Sequence, residues 1–147
     1  MNLPIFSQAG HFKGKRRVPM HSHPGMELIY VSSGSGSIAV AGRMWKVSQG
    51  DLLVIAPEEE HDQHSLPMLE TFFAVFLADA ALFRQETRLL RTDADTWVVR
   101  WMRELDELAV RREHMLCAGL LIPLLQRLSA LEQRDDVGNG HPGLRRA

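Results

Sequence analysis

The stretch that decides the fold is His21-Ser22-His23-Pro24-Gly25-Met26-Glu27. Side chains alternate across an extended chain, so histidines at i and i+2 project to one side of a strand. A Pro-Gly turn follows, and Glu27 stands at the start of the next apolar run, where its carboxylate can reach the same space. His61, just past a corner at Pro57, supplies a third imidazole. Three imidazole nitrogens and one carboxylate oxygen suit a divalent Zn, Ni, Fe or Mn ion, with positions left open for water or a ligand. A His-x-His pair alone also occurs as hydrogen-bonded strand histidines, so the whole spacing of His21, His23, Glu27 and His61 carries the reading.

Outward from this stretch, residues before about Ala80 form short runs rich in Val, Ile and Phe, cut by glycine and proline. Strands are predicted at 16–23, 26–33, 37–41, 43–47, 51–55, 61–65 and 69–77. Gly34-Ser35-Gly36 is expected to break the second run, Ala41-Gly42 to form a tight hairpin, and Gly50-Asp51 and Pro57-Glu58 to mark corners. Seven short, evenly spaced strands make a β-sandwich or small barrel. Alternation puts Tyr30 on the face opposite Glu27. It also puts His64 opposite His61, as an exterior histidine. Met20, Met26, Met44 and Met68 read as core filler rather than ligands.

After Ala80 the period changes. Trp97, Trp101, Leu105 and Leu108 fall on one face of a helix, with Thr92, Asp93 or Asp95 as candidate N-caps. Leu116, Leu120, Leu124, Leu128 and Leu131 share a face of a second helix, in which Pro123 is expected to cause a kink or break. Two leucine-rich helices exceed what one barrel wall can cover, so the stripe reads as intramolecular core or, the reading preferred, as a dimerisation surface. The tail 134–147 has no periodicity and reads as a linker, and the basic arm 1–17 as a solvated lead-in strand.

Composition narrows the function. The chain has 147 residues, 45% hydrophobic and 24% charged, enough for one core without disulfides, and its single cysteine reads as a small buried hydrophobe. The net charge of -1 has no basic concentration in either half: six basic and eight acidic groups lie before residue 84, eleven and ten from residue 84 on. Tight DNA binding by this chain is therefore not expected. No basic segment leads into an apolar run at the N-terminus, and the apolar run 115–125 is interrupted by Gly119 and Pro123. A cytoplasmic protein with no membrane contact is expected.

HSHPGME followed by Gly34, seven positions after Glu27, resembles the first motif of the cupin superfamily. Gly50-Asp51 through Pro57 to His61, eleven positions after Gly50, resembles the second. The resemblance implies a mainly β fold, a jelly-roll antiparallel β-barrel followed by two C-terminal α-helices. It also implies metal ligation by His21, His23, Glu27 and His61. Departures leave those four untouched: Gly14 is displaced, Ala56 replaces a proline, Glu58 the corner glycine and Ser65 an asparagine. They imply a corner of altered shape near the pocket mouth.

The runs His21-Ser22-His23, Glu27 through Gly34 and Gly50 through Ile55 are also similar to the N-terminal sensing domain of AraC-type transcriptional regulators. That resemblance implies a barrel with an N-terminal arm (1–80), a helical dimerisation segment (81–133) and a linker (134–147). His141-Pro142-Gly143-Leu144-Arg145-Arg146-Ala147 is similar to the opening of that family's DNA-binding domain. The expected function is sensing of a small-molecule effector by a homodimer that is not an enzyme, with DNA bound only through a helix-turn-helix domain absent from this sequence. The alternative is a metal-dependent cupin enzyme, an oxygenase or isomerase.

Overall fold

The computed structural model describes residues 3–14, 17–64 and 69–138. Eight strands precede two helices: β1 (Ile5–Gly14), β2 (Arg17–His21), β3 (Met26–Val40), β4 (Arg43–Ser48), β5 (Asp51–Ile55), β6 (His61–His64), β7 (Leu69–Leu77), β8 (Arg88–Arg91), α1 (Thr96–Val110) and α2 (His114–Gly138). All pairings are antiparallel. One sheet runs β1-β7-β3-β5-β8. The other holds β2, β6, the C-terminal part of β3, and β4.

Strand β3 belongs to both sheets, which corrects the expected break at Gly34-Ser35-Gly36. Residues 26–34 pair with β7, and 35–40 pair with β4. The change of sheet follows a register slip between Val31 and Ser33 and falls at Gly34, whose φ of 82° lies in the left-handed region. The glycine bends the strand instead of ending it. Ala41 and Gly42, both at positive φ, close the predicted two-residue hairpin into β4.

The interior of the barrel is filled by Ile29, Val31, Ile38, Val40, Leu53 and Ile55. On the outer face of the first sheet, Leu28, Tyr30, Leu52, Val54, Phe72 and Phe76 meet Val98, Met102 and Leu105 of α1 and Cys117, Leu121 and Leu125 of α2. Residues 26–31 and all of β5 are accordingly buried without alternation, whereas β4, open to solvent on one side, alternates. Each fully buried Leu or Ile stabilises the fold by roughly 1.5–3 kcal/mol. Burial also pushes the Cys117 thiol up, with Glu113 adding to the effect.

Four further differences concern elements. The arm forms a strand with no buried residue, as expected, but an integral one: β1 pairs along its length with β7. Strand β8, inside the segment read as helical, pairs with β5 and extends the sheet past residue 80. Helix α2 runs unbroken through Pro123 and continues to Gly138, one turn into the stretch read as linker. The Gly119 carbonyl, which loses its amide partner to Pro123, lies at an exposed residue where water can satisfy it. The buried faces overlap those expected but are shifted. Leu105 on α1 and Leu124 and Leu128 on α2 are buried as expected, and Val98, Met102, Cys117, Leu121 and Leu125 join them, while Trp97 is 46% exposed and Leu116 55% exposed. The tail beyond 138 and the side chains of His64 and Met68 lie outside the described residues.

Asp95 caps α1 by accepting the Val98 amide, and its carboxylate also takes two hydrogen bonds from Arg127 of α2, at 2.6 and 3.1 Å. Within residues 114–135 of α2 an 18-residue window has a mean hydropathy of 1.4, enough by length and composition to cross a bilayer. The uninterrupted apolar run understated this. Here the helix lays one face on α1 and the barrel.

Candidate metal centre

His21 closes β2, Glu27 is the second residue of β3 and His61 the first of β6. His21 and His61 are registered partners across the β2–β6 pair. His23 lies outside any strand, in the connection 22–25, so it reaches the cluster from a turn and not by the strand alternation expected for it. Gly25 in that turn has no room for a side chain: a Cβ there would stand 2.9 Å from the Phe76 carbonyl oxygen and 2.9 Å from Val75 Cγ1. This close approach brings His23 and Glu27 down onto β7.

The four side chains converge. One ligand atom from each of His21, His23, Glu27 and His61 lies within 4.8 Å of every other. Glu27 and His61 are 8% and 3% exposed, and His21 is the most open of the four.

The hydrogen bonds fix how the rings point. His21 Nδ1–H donates to the Pro19 carbonyl (2.8 Å), His23 Nδ1–H to that of Gly25 (2.9 Å), and His61 Nδ1–H to that of Glu59 (2.9 Å). A neutral ring that spends its proton on Nδ1 carries its lone pair on Nε2, the arrangement that metal-ligating histidines adopt. Yet the Nε2 atoms of His23 and His61 lie 2.9 and 3.2 Å from the same Glu27 oxygen, Oε1. Two lone pairs facing one carboxylate oxygen repel unless a proton or a cation lies between them. The cluster is therefore short of positive charge, and its donor set fits a divalent ion.

Electrostatics run the same way. The hydrogen bond to Glu27 raises the His23 pKa against the opposing effect of burial. Burial alone would push the Glu27 carboxyl up, but the hydrogen bonds from His23 and His61 outweigh it and hold the group below its ordinary range.

The cluster opens into a cavity of about 230 Å³, lined in addition by Gln8, Phe12, Ile29, Asp62 and Phe73. Phe12 and Phe73 stack with ring centroids 5.4 Å apart. Gln8, Phe12 and Asp62 were not foreseen as site residues. A register slip between Phe6 and Gln8 puts Gln8 on the cavity side while Phe6 packs toward the helices, and strict alternation does not predict that switch. The Asp62 carboxylate accepts the Ala39 amide at 3.3 Å as well as lining the cavity. Tyr30, as expected, packs on the helix side. The described residues bring together all four predicted ligands.

Two antiparallel sheets share strand β3, and the histidine–glutamate cluster lies where β2, β3 and β6 meet, the arrangement that the cupin resemblance implies. Among solved structures, the chain is similar to a predicted oxalate decarboxylase from Thermotoga maritima (20% identity, 50% of this chain and 68% of that one, TM-score 0.46). A cupin-2 domain containing protein from Shewanella frigidimarina matches at 21% identity over 50% of this chain and 71% of that one, TM-score 0.43. A cupin protein from Bacteroides fragilis matches at 25% identity over 56% and 71%, TM-score 0.44. No curated protein matches the chain. The model of the AraC-like ligand binding domain matches residues 2–131, and the chain belongs to that family.

Proposed function

We propose that this chain is the ligand-sensing and dimerisation part of an AraC-type transcriptional regulator, which places it in the cytoplasm. A small effector enters the barrel, and a divalent ion sits on His21, His23, Glu27 and His61. The observation that carries the reading is the cavity opening onto the four-residue cluster, in a chain of the AraC-like ligand binding family. An engineered cavity of about 150 Å³ holds benzene, so a space of about 230 Å³ suits an effector of roughly nine non-hydrogen atoms, a single ring or a monosaccharide. Stacked Phe12 and Phe73 offer a flat apolar wall, while Gln8 and Asp62 offer polar partners.

The helices support pairing with a second copy. Trp97, Val110, Met115 and Leu116 are exposed, Met115 at 90%, and Trp97 stacks on Trp101 at 5.3 Å. Such a surface favours burial by a partner. DNA binding belongs to a helix-turn-helix domain outside these residues, since the charge of -1 gives phosphates little to hold.

Metal analysis of protein purified without an affinity tag tests the reading, together with a thermal-shift screen of single-ring acids and monosaccharides. One equivalent of metal and a ligand that raises Tm support it. Metal-free protein that also fails to take up Zn, Ni, Fe or Mn removes the metal centre. Turnover of a small substrate by this chain would establish the rival reading, a metal-dependent oxygenase or isomerase, which draws on the same cluster and on Asp62.

A further inference from the structure

The corner between β5 and β6, residues 56–60, touches the cluster twice. The Glu58 amide donates to the His23 carbonyl (2.9 Å), and the Glu59 carbonyl accepts the His61 Nδ1–H (2.9 Å). On its other side the corner is bolted to the segment leading into β8. The Thr87 hydroxyl donates to the Glu59 carboxylate, and its oxygen accepts the Ala56 amide (2.9 Å). The next residue, Arg88, is 9% exposed and donates Nε–H to Glu132 of α2 at 2.7 Å. A continuous set of bonds thus runs from the imidazoles of the cluster, through Glu59, Thr87 and Arg88, to the helix that carries the exposed apolar face.

Two features mark this set as poised between arrangements. Glu58 occupies the left-handed region at φ 67°, an unfavourable place for a residue with a Cβ. Arg88 Nη2 is buried without a hydrogen-bond partner, although Nε and Nη1 of the same guanidinium are bonded. A buried orphan donor next to a strained corner has something to gain from a small shift. His61 is the lever: one ring nitrogen faces Glu27 and the other holds the Glu59 carbonyl, so the ring cannot re-aim without drawing on the corner.

We infer that the strap Glu59–Thr87–Arg88–Glu132 couples occupancy of the His21/His23/Glu27/His61 cluster to the seating of α2. It deepens the reading above and rests on that cluster's binding a divalent ion. Thr87 and Glu59 are positioning residues here. By linkage, what the cluster does to α2, the packing of α2 does to the affinity of the cluster.

Hydrogen exchange of the whole chain with and without Zn²⁺ tests the coupling, in wild type and in Thr87→Val, with Zn²⁺ affinity measured in parallel by competition with a chromophoric chelator. In wild type Zn²⁺ slows exchange at 56–62 and at 127–135 by about fivefold or more relative to α1, the low end of ordinary coupling between sites. In Thr87→Val the response at 56–62 persists and Zn²⁺ affinity stays within about threefold, while the response at 127–135 falls below about twofold. If Thr87→Val is poorly folded, Glu132→Gln breaks the strap at its other end and must give the same pattern. An α2 response unchanged in both variants, or absent from wild type that binds Zn²⁺, overturns the strap and leaves the metal centre standing. Wild type that binds no Zn²⁺ overturns both.

Discussion

His21 and His61 face each other as a registered pair across β2 and β6, their ring centroids 4.2 Å apart. The ladder has slipped by one residue between Val18 and His21, and such a bulge twists a strand and re-aims the side chain beyond it. The bulge turns His21 toward a partner that arrives from a separate hairpin. Two short strands, β2 and the β6 that joins it to β3, thereby contribute half of a four-residue cluster.

Removing that pair should empty the centre. The double variant His21→Ala/His61→Ala is expected to lose Zn²⁺ affinity by more than about a hundredfold, since even outer partners of metal ligands are worth 10–100-fold. Chelator competition and metal analysis of the purified variant measure it. The barrel should persist, because neither imidazole belongs to the two hydrophobic clusters. Stoichiometric metal in the variant would show that the four residues are not the ligands.

The helical layer makes two opposite predictions. Leu105 is fully buried between α1 and the sheet, so Leu105→Ala is expected to cost about 2–5 kcal/mol in urea unfolding. Leu116, at 55% exposure, contributes little to the isolated chain, and Leu116→Ser should change its stability by less than about 0.5 kcal/mol. The same substitution should weaken self-association by about tenfold, a loss of about 1.4 kcal/mol. Sedimentation equilibrium reads it, and a variant that associates as wild type does would put the dimer surface elsewhere.

The cluster was legible because its information is local. An i, i+2 histidine pair, a Pro-Gly turn and a following glutamate mark three members of the cluster within seven residues, and the Gly50-to-His61 spacing marks the fourth. Strand β8 was not, since four residues with arginine at both ends show no alternation to read. The buried face of α2 was ambiguous for a different reason. Apolar residues surround the helix between 115 and 125, so several leucine stripes compete, and the packing beneath adds Cys117, Leu121 and Leu125 to the expected Leu124 and Leu128. Gln8 and Phe12 were hidden by the slip between Phe6 and Gln8, which tertiary pairing with β7 imposes.

The contact between Asp95 and Arg127 sets a pH dependence for the α1–α2 pair. The Arg127 hydrogen bond holds the Asp95 carboxyl below its ordinary range; burial opposes the effect and the Val98 amide adds to it. A group whose pKa is lower folded than unfolded contributes its full share above the unfolded value, near 3.9, and loses it as pH falls through the folded value. Asp95→Ala removes the cap and is expected to cost about 1 kcal/mol at pH 7. Urea melts should show that difference shrinking as the pH is taken below the unfolded value and through the folded one. A gap that stays constant would mean that Asp95 acts without its charge.

Two glycine-to-alanine substitutions should move stability in opposite directions. At Gly25 the new Cβ would stand 2.9 Å from a backbone oxygen, Phe76 O, which cannot swing aside as a flexible side chain would. Overpacking of this kind costs about 1–3 kcal/mol. The backbone shift that relieves it displaces the turn holding His23, so Zn²⁺ affinity should fall as well. At Gly119, in the middle of α2, nothing lies within 4 Å of the added Cβ. Alanine there removes the conformational freedom of an unfolded glycine, and should stabilise by about 0.5–1 kcal/mol without touching metal affinity. Urea unfolding and chelator competition on both variants separate the cases. If Gly25→Ala unfolds and binds Zn²⁺ as wild type does, then the close approach of the 22–25 turn to β7 is not what places His23.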